Sequence, residues 1–168
     1  MYPENWSQFF TATIQEWKHL LKDDKYKDVI INCLNFLVQN KKVKINAFVI
    51  MSNHIHIIWQ AMAGNSLNQV QTSFKKFTSK QFIKLLEADK KLDLYEVNAA
   101  DRKHYFWKRN SLGVELFTAA IFHQKLDYIH SNPINAGLCN FPEEYKYSSA
   151  LFYKKDIDNF GLLEHYGC

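Results

Sequence analysis

Cysteine is scarce: Cys33, Cys139 and Cys168 are widely spaced along 168 residues and show no paired metal spacing. So sparse and odd a set argues against a disulfide framework and fits a reducing cytoplasm. Long apolar runs are missing too, which leaves no segment to read as a membrane span. Met1-Tyr2-Pro3-Glu4-Asn5 carries no basic stretch leading into an apolar one, so no signal peptide is expected and the expected location is cytoplasmic. Internal repeats and low-complexity tracts are absent as well. The charge is only mildly unbalanced, at +4, a small basic excess that suits a polyanionic partner without demanding one.

What is present is ordinary globular material, 47% hydrophobic and 23% charged. A chain of this length reads as one domain, 1–168, burying roughly 70% of its unfolded surface. Aromatic residues reach 15%, enough to pack a core and leave faces on which unpaired bases can stack.

Trp6 to Trp17 reads as a first strand, because Phe9-Phe10-Thr11-Ala12-Thr13-Ile14 is rich in aromatic and β-branched residues. Lys27 to Gln39 sets Val29, Ile30, Cys33, Phe36 and Leu37 at helical spacing. Val43 to Met51 alternates, with Val43, Ile45, Ala47, Val49 and Met51 expected on one face. Ser52-Asn53 turns the chain into a second strand from His54 to Gln60. Gly64-Asn65-Ser66 caps a long helix to about Ala88, with Leu67, Val70, Phe74 and Phe77 as its apolar stripe and Lys76, Lys80 and Lys84 on another face. Asp89 to Lys103 reads as a loop. Tyr105-Phe106-Trp107 and Gly113 to Phe117 bracket a fourth strand region broken in the middle. Thr118 caps a last helix through about Asn132, expected to stop at Pro133. This β-α-β-β-α-β-α order predicts an α+β, ferredoxin-like (RRM-like) sandwich, a central antiparallel sheet with helices packed on it.

Two local patterns carry chemistry. On a strand, His54 and His56 project to one face while Ile55, Ile57 and Trp59 face the other. Two such imidazoles can share a divalent cation but need a third ligand; without one, a His-X-His strand is more often a hydrogen-bonded surface pair. In Leu126-Asp127-Tyr128-Ile129-His130-Ser131-Asn132-Pro133, Tyr128 and Asn132 are four apart and share a helix face. Tyrosine is a weak nucleophile at its ordinary pKa of about 10 and needs a base or a cation-polarised phosphorus to react. As plain structure, this segment would be an amphipathic helix and its stop.

The segments Met51–Trp59 and Asp127–Leu138 together resemble the signature motifs of the single-tyrosine HUH transposases, in particular the REP-associated tyrosine transposase branch. Phe9-Phe10-Thr11-Ala12-Thr13, Asn46-Ala47-Phe48-Val49-Ile50 and Glu144-Tyr145-Lys146-Tyr147-Ser148-Ser149 extend the resemblance over a core of about residues 5–150, leaving 151–168 as an uninterpreted extension. The resemblance implies a metal-dependent enzyme that cleaves and rejoins single-stranded DNA at hairpin-associated sites. His54, His56 and Asn132 would hold Mg²⁺ or Mn²⁺, and Tyr128 would form a transient 5′-phosphotyrosine link. Ser52 stands where the family usually has proline, and the residues just after Trp107-Lys108-Arg109-Asn110 depart from its pattern.

Lys108 and Arg109 are the better DNA-contact candidates, Lys76 and Lys80 (with Lys75 and Lys84) the weaker ones. Lys125 lies one turn before Tyr128, placed to attract phosphate charge. Asp127 points elsewhere, and His104, His123 and His130 read as surface histidines. The alternatives left open are a domesticated hairpin-DNA-binding protein without cleavage and a metal-dependent single-strand nuclease. A homodimer that exchanges the tyrosine helix is also compatible with the resemblance.

Overall fold

The structure is a computed structural model, describing residues 5–97, 100 and 104–167. Cys168 and residues 98, 99 and 101–103 of the expected Asp89–Lys103 loop lie outside the described residues. Four strands form one antiparallel sheet in the order β2-β3-β1-β4: β1 (Gln8–Thr13), β2 (Val43–Ile50), β3 (His54–Ala61) and β4 (Leu112–Glu115). With α1 (Asp24–Gln39) between β1 and β2, and α2 (Leu67–Ala88) between β3 and β4, this is the expected ferredoxin-like sandwich.

Strand alternation divides the sheet into two faces. Phe10, Ala12, Ile55, Ile57 and Trp59 enter the larger core beneath α1 and α2. Phe9, Val49, Met51 and Ile58 form a second core beneath α3 (Ala119–Asn135). Capping residues start both long helices after β1 and β3, the Asp23 carboxylate accepting from the Lys25 amide and the Ser66 hydroxyl from the Gln69 amide.

Five features depart from the sequence reading or add to it. First, β1 ends at Thr13. Ile14 bridges to Trp107, and the chain then turns sharply through Glu16 and Trp17, both at positive φ (58° and 55°). Second, β2 carries a bulge between Ile45 and Ala47, so Val43 and Ile45 join the larger core while Ala47, Val49 and Met51 join the other. The extra residue, Asn46, is held from both sides: its amide donates to the Glu164 carbonyl (2.9 Å) and its carbonyl accepts from the Tyr153 hydroxyl (2.6 Å).

Third, Pro133 lies inside α3 rather than ending it. Proline deletes one donor in the last turn, and the helix closes on Gly137 instead. Leu138 N–H donates to Pro133 O and Gly137 N–H to Ile134 O, a Schellman closure with Gly137 at φ 73°. Fourth, the C-terminal stretch is structured. After α4 (Ala150–Lys155), Leu163 bridges alongside Ile45 and Tyr166 stacks on Phe122 at 4.1 Å, covering the otherwise open β2 edge. The 89–103 region also gains a 3-10 turn, Leu92–Tyr95.

The fourth strand is broken, as expected. Thr11 pairs with Leu112 but Ile14 with Trp107, so two residues of β1 oppose the four residues 108–111, and the ladder is interrupted after Lys108, whose N–H still donates to Thr13 O at 2.8 Å.

A β-carbon at Gly137 would meet nothing within 4 Å, so only the backbone resists substitution there. Gly137→Ala is expected to lower stability by about 1 kcal/mol, measured by urea unfolding; an unchanged midpoint would show that the left-handed cap contributes nothing.

Candidate active site

Helix α3 is oriented by its buried residues Phe122, Leu126, Ile129 and Pro133, spaced four, three and four apart. Lys125, Tyr128 and Asn132 each precede one of these by a single position, so they form a parallel row about 100° around the helix. The buried stripe fixes the rotation, and the row follows from it.

Beneath this row lies the histidine pair. The β1–β3 register sets Thr11 opposite His56 and Thr13 opposite His54. The Thr11 hydroxyl meets His56 Nδ1 at 2.8 Å, and His54 Nδ1 donates to Asn53 Oδ1 at 2.7 Å. The rings stand 4.9 Å apart, and the Tyr128 ring stacks edge-on to His56 at 5.2 Å within the same chain. Phe9 completes the cluster, stacked on His56 at 5.2 Å and carrying the Lys125 ammonium over its face at 4.9 Å. Tyr128 is 52% exposed, so its phenol is accessible to a large substrate.

Burial lowers the proton affinity of both imidazoles. For His56, burial together with His54 and Lys125 pushes the pKa down to about 3; for His54 burial alone lowers it. Both rings are therefore neutral near pH 7, the form in which a ring nitrogen can ligate a cation. His56 Nε2 is buried and has no hydrogen-bond partner among the described residues. A buried acceptor without a partner is costly, and with Nδ1 turned to Thr11 it suits a metal ligand whose other nitrogen is held by a hydrogen bond. Among the described residues no three His, Cys, Asp or Glu side chains converge as a ligand set. A cation here would need an uncharged third donor, and Asn132, half-buried one turn beyond Tyr128, is of that kind.

The lysine and arginine candidates separate into two groups. Lys76, Lys80, Lys108 and Arg109 line one groove of about 680 Å³ between α2 and segment 104–109. Lys125 lies apart, at the imidazoles. Lys108 links the two regions, its ammonium 4.3 Å over the Trp17 ring, whose centre lies 6.4 Å from that of His54.

His130 differs from the surface residue expected. It is part-buried, its Nε2 meets Ser149 Oγ at 2.8 Å, and burial pushes its pKa down to about 4. His104 is half-buried in the groove wall, and His123 is exposed. The sequence reading gave no role to Thr11, Asn53, Phe9 or Trp17. Alternation marked Phe9 and Thr11 as facing one way, but only the β1–β3 register shows that His56 lies opposite.

Over residues 8–132 the chain matches the family described as transposase IS200-like. The chain belongs to that transposase family. The fold agrees: a REP-associated tyrosine transposase solved bound to a REP hairpin superposes with a TM-score of 0.67 at 15% identity, covering 95% of this chain and 86% of that one. A candidate transposase from Deinococcus radiodurans R1 superposes at 0.51 and 13% identity, covering 76% and 91%. No curated protein matches the transposase at the level of sequence. Among its described residues, no helix is long and apolar enough to cross a membrane.

Unfolding frees His54, His56 and His130, all held below their ordinary value in the fold, to titrate near 6.5. The unfolded chain then binds more protons than the folded one below that pH, so stability is expected to fall steadily from about pH 6.5 toward pH 4. Side-chain NMR of the metal-free protein should find the His56 ring still neutral at about pH 5; titration near 6.5 would contradict the burial argument.

Proposed function

We propose that the chain is a metal-dependent strand transferase that cleaves and rejoins single-stranded DNA beside a hairpin through Tyr128. The observation that carries this reading is the 5.2 Å approach of the Tyr128 ring to His56, whose buried Nε2 has no other partner among the described residues.

His54 and His56, with the Asn132 carboxamide, are the proposed holders of Mg²⁺ or Mn²⁺. Bound there, the cation would polarise a DNA phosphate and offset charge building on its oxygens. Tyr128 Oη would form the new bond to phosphorus as the P–O3′ bond breaks. The phenol gives up its proton and the departing 3′-oxygen gains one. The product is a 5′-phosphotyrosine and a free 3′-hydroxyl, and reversal with another 3′-hydroxyl joins strands. One ester replaces another at each step, so no nucleotide cofactor is required. Lys125, one turn before Tyr128, is suited to attract the phosphate. The groove holding Lys76, Lys80, Lys108 and Arg109 is suited to DNA backbone. Contact of Tyr128 with its own chain's histidine supports a site assembled within one subunit, without the exchanged helix of a homodimer. The reading as a hairpin partner is further supported by the structural neighbour, which was solved with a REP hairpin.

The test uses a labelled pool of hairpin DNAs with randomised single-stranded flanks, incubated with Mn²⁺ and run on a denaturing gel. A protein–DNA adduct is expected that disappears with EDTA and in Tyr128→Phe. Retarded but uncut DNA would indicate a binding protein instead, and cleavage that survives Tyr128→Phe a nuclease using water.

A second prediction concerns Thr11. Thr11→Val removes the partner of His56 Nδ1 while keeping the side chain's shape, and Mn²⁺ affinity by calorimetry is expected to drop about 10- to 100-fold. Unaltered affinity would mean that the hydroxyl does not orient the ring.

A further inference from the structure

Trp17 is placed unlike the buried tryptophans of the core. It is 54% exposed, whereas Trp59 and Trp107 are buried. Its backbone, and that of Glu16 before it, occupies the left-handed region that non-glycine residues rarely adopt. Such a conformation persists only where its surroundings enforce it, and here they do. Gln15 N–H donates to Phe106 O at 2.7 Å, Trp17 N–H to Ile14 O at 3.0 Å, and the Lys18 ammonium to Leu94 O at 2.5 Å while sitting over the Tyr95 ring. The turn holds a bulky indole in solvent, at a backbone cost, with its ring centre 6.4 Å from that of His54.

Packing does not account for this, because a core indole would be buried. The surroundings of the ring point to an occupant. Lys108 lies over the indole, and Lys108 and Arg109 line the basic groove that begins beside it. The fourth strand is interrupted just after Lys108, whose N–H still donates to Thr13 O at 2.8 Å, so these cations stand at the margin of the sheet that Trp17 borders. An exposed π-face next to cations, bordering the histidines, matches a base whose phosphates follow the lysines.

We infer that Trp17 is a stacking platform for an unpaired DNA base close to the phosphate that Tyr128 attacks, holding the single strand in place between the basic groove and the histidine pair. Resting on the strand-transferase reading, the inference adds to it a positioning residue that recognises a base by its face and not by its hydrogen-bonding edge. The platform therefore tolerates any base and requires that it be unpaired.

The test is a titration of the full chain with oligodeoxythymidylate of about 12 nucleotides in EDTA, so that neither metal nor cleavage contributes. Indole emission is expected to be quenched in the wild type, and Trp17→Phe is expected to lose most of that quenching while binding almost as tightly, because a phenyl ring still stacks. Trp17→Ala is expected to bind roughly tenfold more weakly, with circular dichroism and melting temperature unchanged. Quenching equal in wild type and Trp17→Phe, or Trp17→Ala binding within about twofold of wild type, would overturn the inference. Because the titration involves no chemistry, its failure would leave a Tyr128-dependent adduct standing. Conversely, missing adducts with quenching intact would remove the strand-transfer reading and keep the platform.

Discussion

The site depends on the register between β1 and β3. Neighbouring residues of a strand face opposite ways, so a slip of one position would send both imidazoles into the core under α1 and α2. The register in place sets Thr11 opposite His56 and Phe9 opposite Ile58. That single alignment supplies the His56 hydrogen bond, the aromatic ring stacked on the imidazole and the apolar floor on which α3 rests. Phe10, Ile55, Ile57 and Trp59 hold it in place from the opposite face, each almost wholly buried. At about 1.5–3 kcal/mol per buried large side chain, exposing all four would cost about as much as a typical domain's whole net stability.

The helix above is fixed by the same logic at a different period. Phe122, Leu126, Ile129 and Pro133 bury one stripe, and Lys125, Tyr128 and Asn132 follow as its neighbours. The row of Lys125, Tyr128 and Asn132 thus rests on the packing of the apolar stripe beside it. Tyr166 stacked on Phe122 ties the C-terminal stretch to this helix. Ser149 ties it a second way, meeting His130 from α3 and exchanging hydrogen bonds with Phe48 of β2.

Sequence made visible whatever depends on local period. The facing of His54 and His56, the shared helix face of Tyr128 and Asn132, the Ser66 and Thr118 caps and the break in the fourth strand were all readable, and with them the ferredoxin-like order. Three kinds of feature were not. The Asn46 bulge is held by Tyr153 and Glu164, more than a hundred positions away, and no pattern within β2 announces it. The turn at Glu16–Trp17 uses positive φ without glycine, enforced by Phe106 and Leu94, so it carries no sequence signature. The expected stop at Pro133 is not where α3 ends, because a proline in the last turn removes only one hydrogen bond and the helix runs on to close at Gly137. Partner choice was hidden for the same reason: Thr11 and Ser149 are unremarkable until distant strands bring them to His56 and His130.

The account stands on the convergence of two imidazoles and one phenol from a single chain on one divalent ion. Paramagnetic broadening by substoichiometric Mn²⁺ tests this directly, with histidine and tyrosine ring signals followed by NMR on the wild-type protein. The account predicts that His54 and His56 broaden first and Tyr128 with them, ahead of every other ring. Broadening that begins elsewhere, at exposed carboxylates or at His123 and His165, with the His54 and His56 signals sharp, would contradict it.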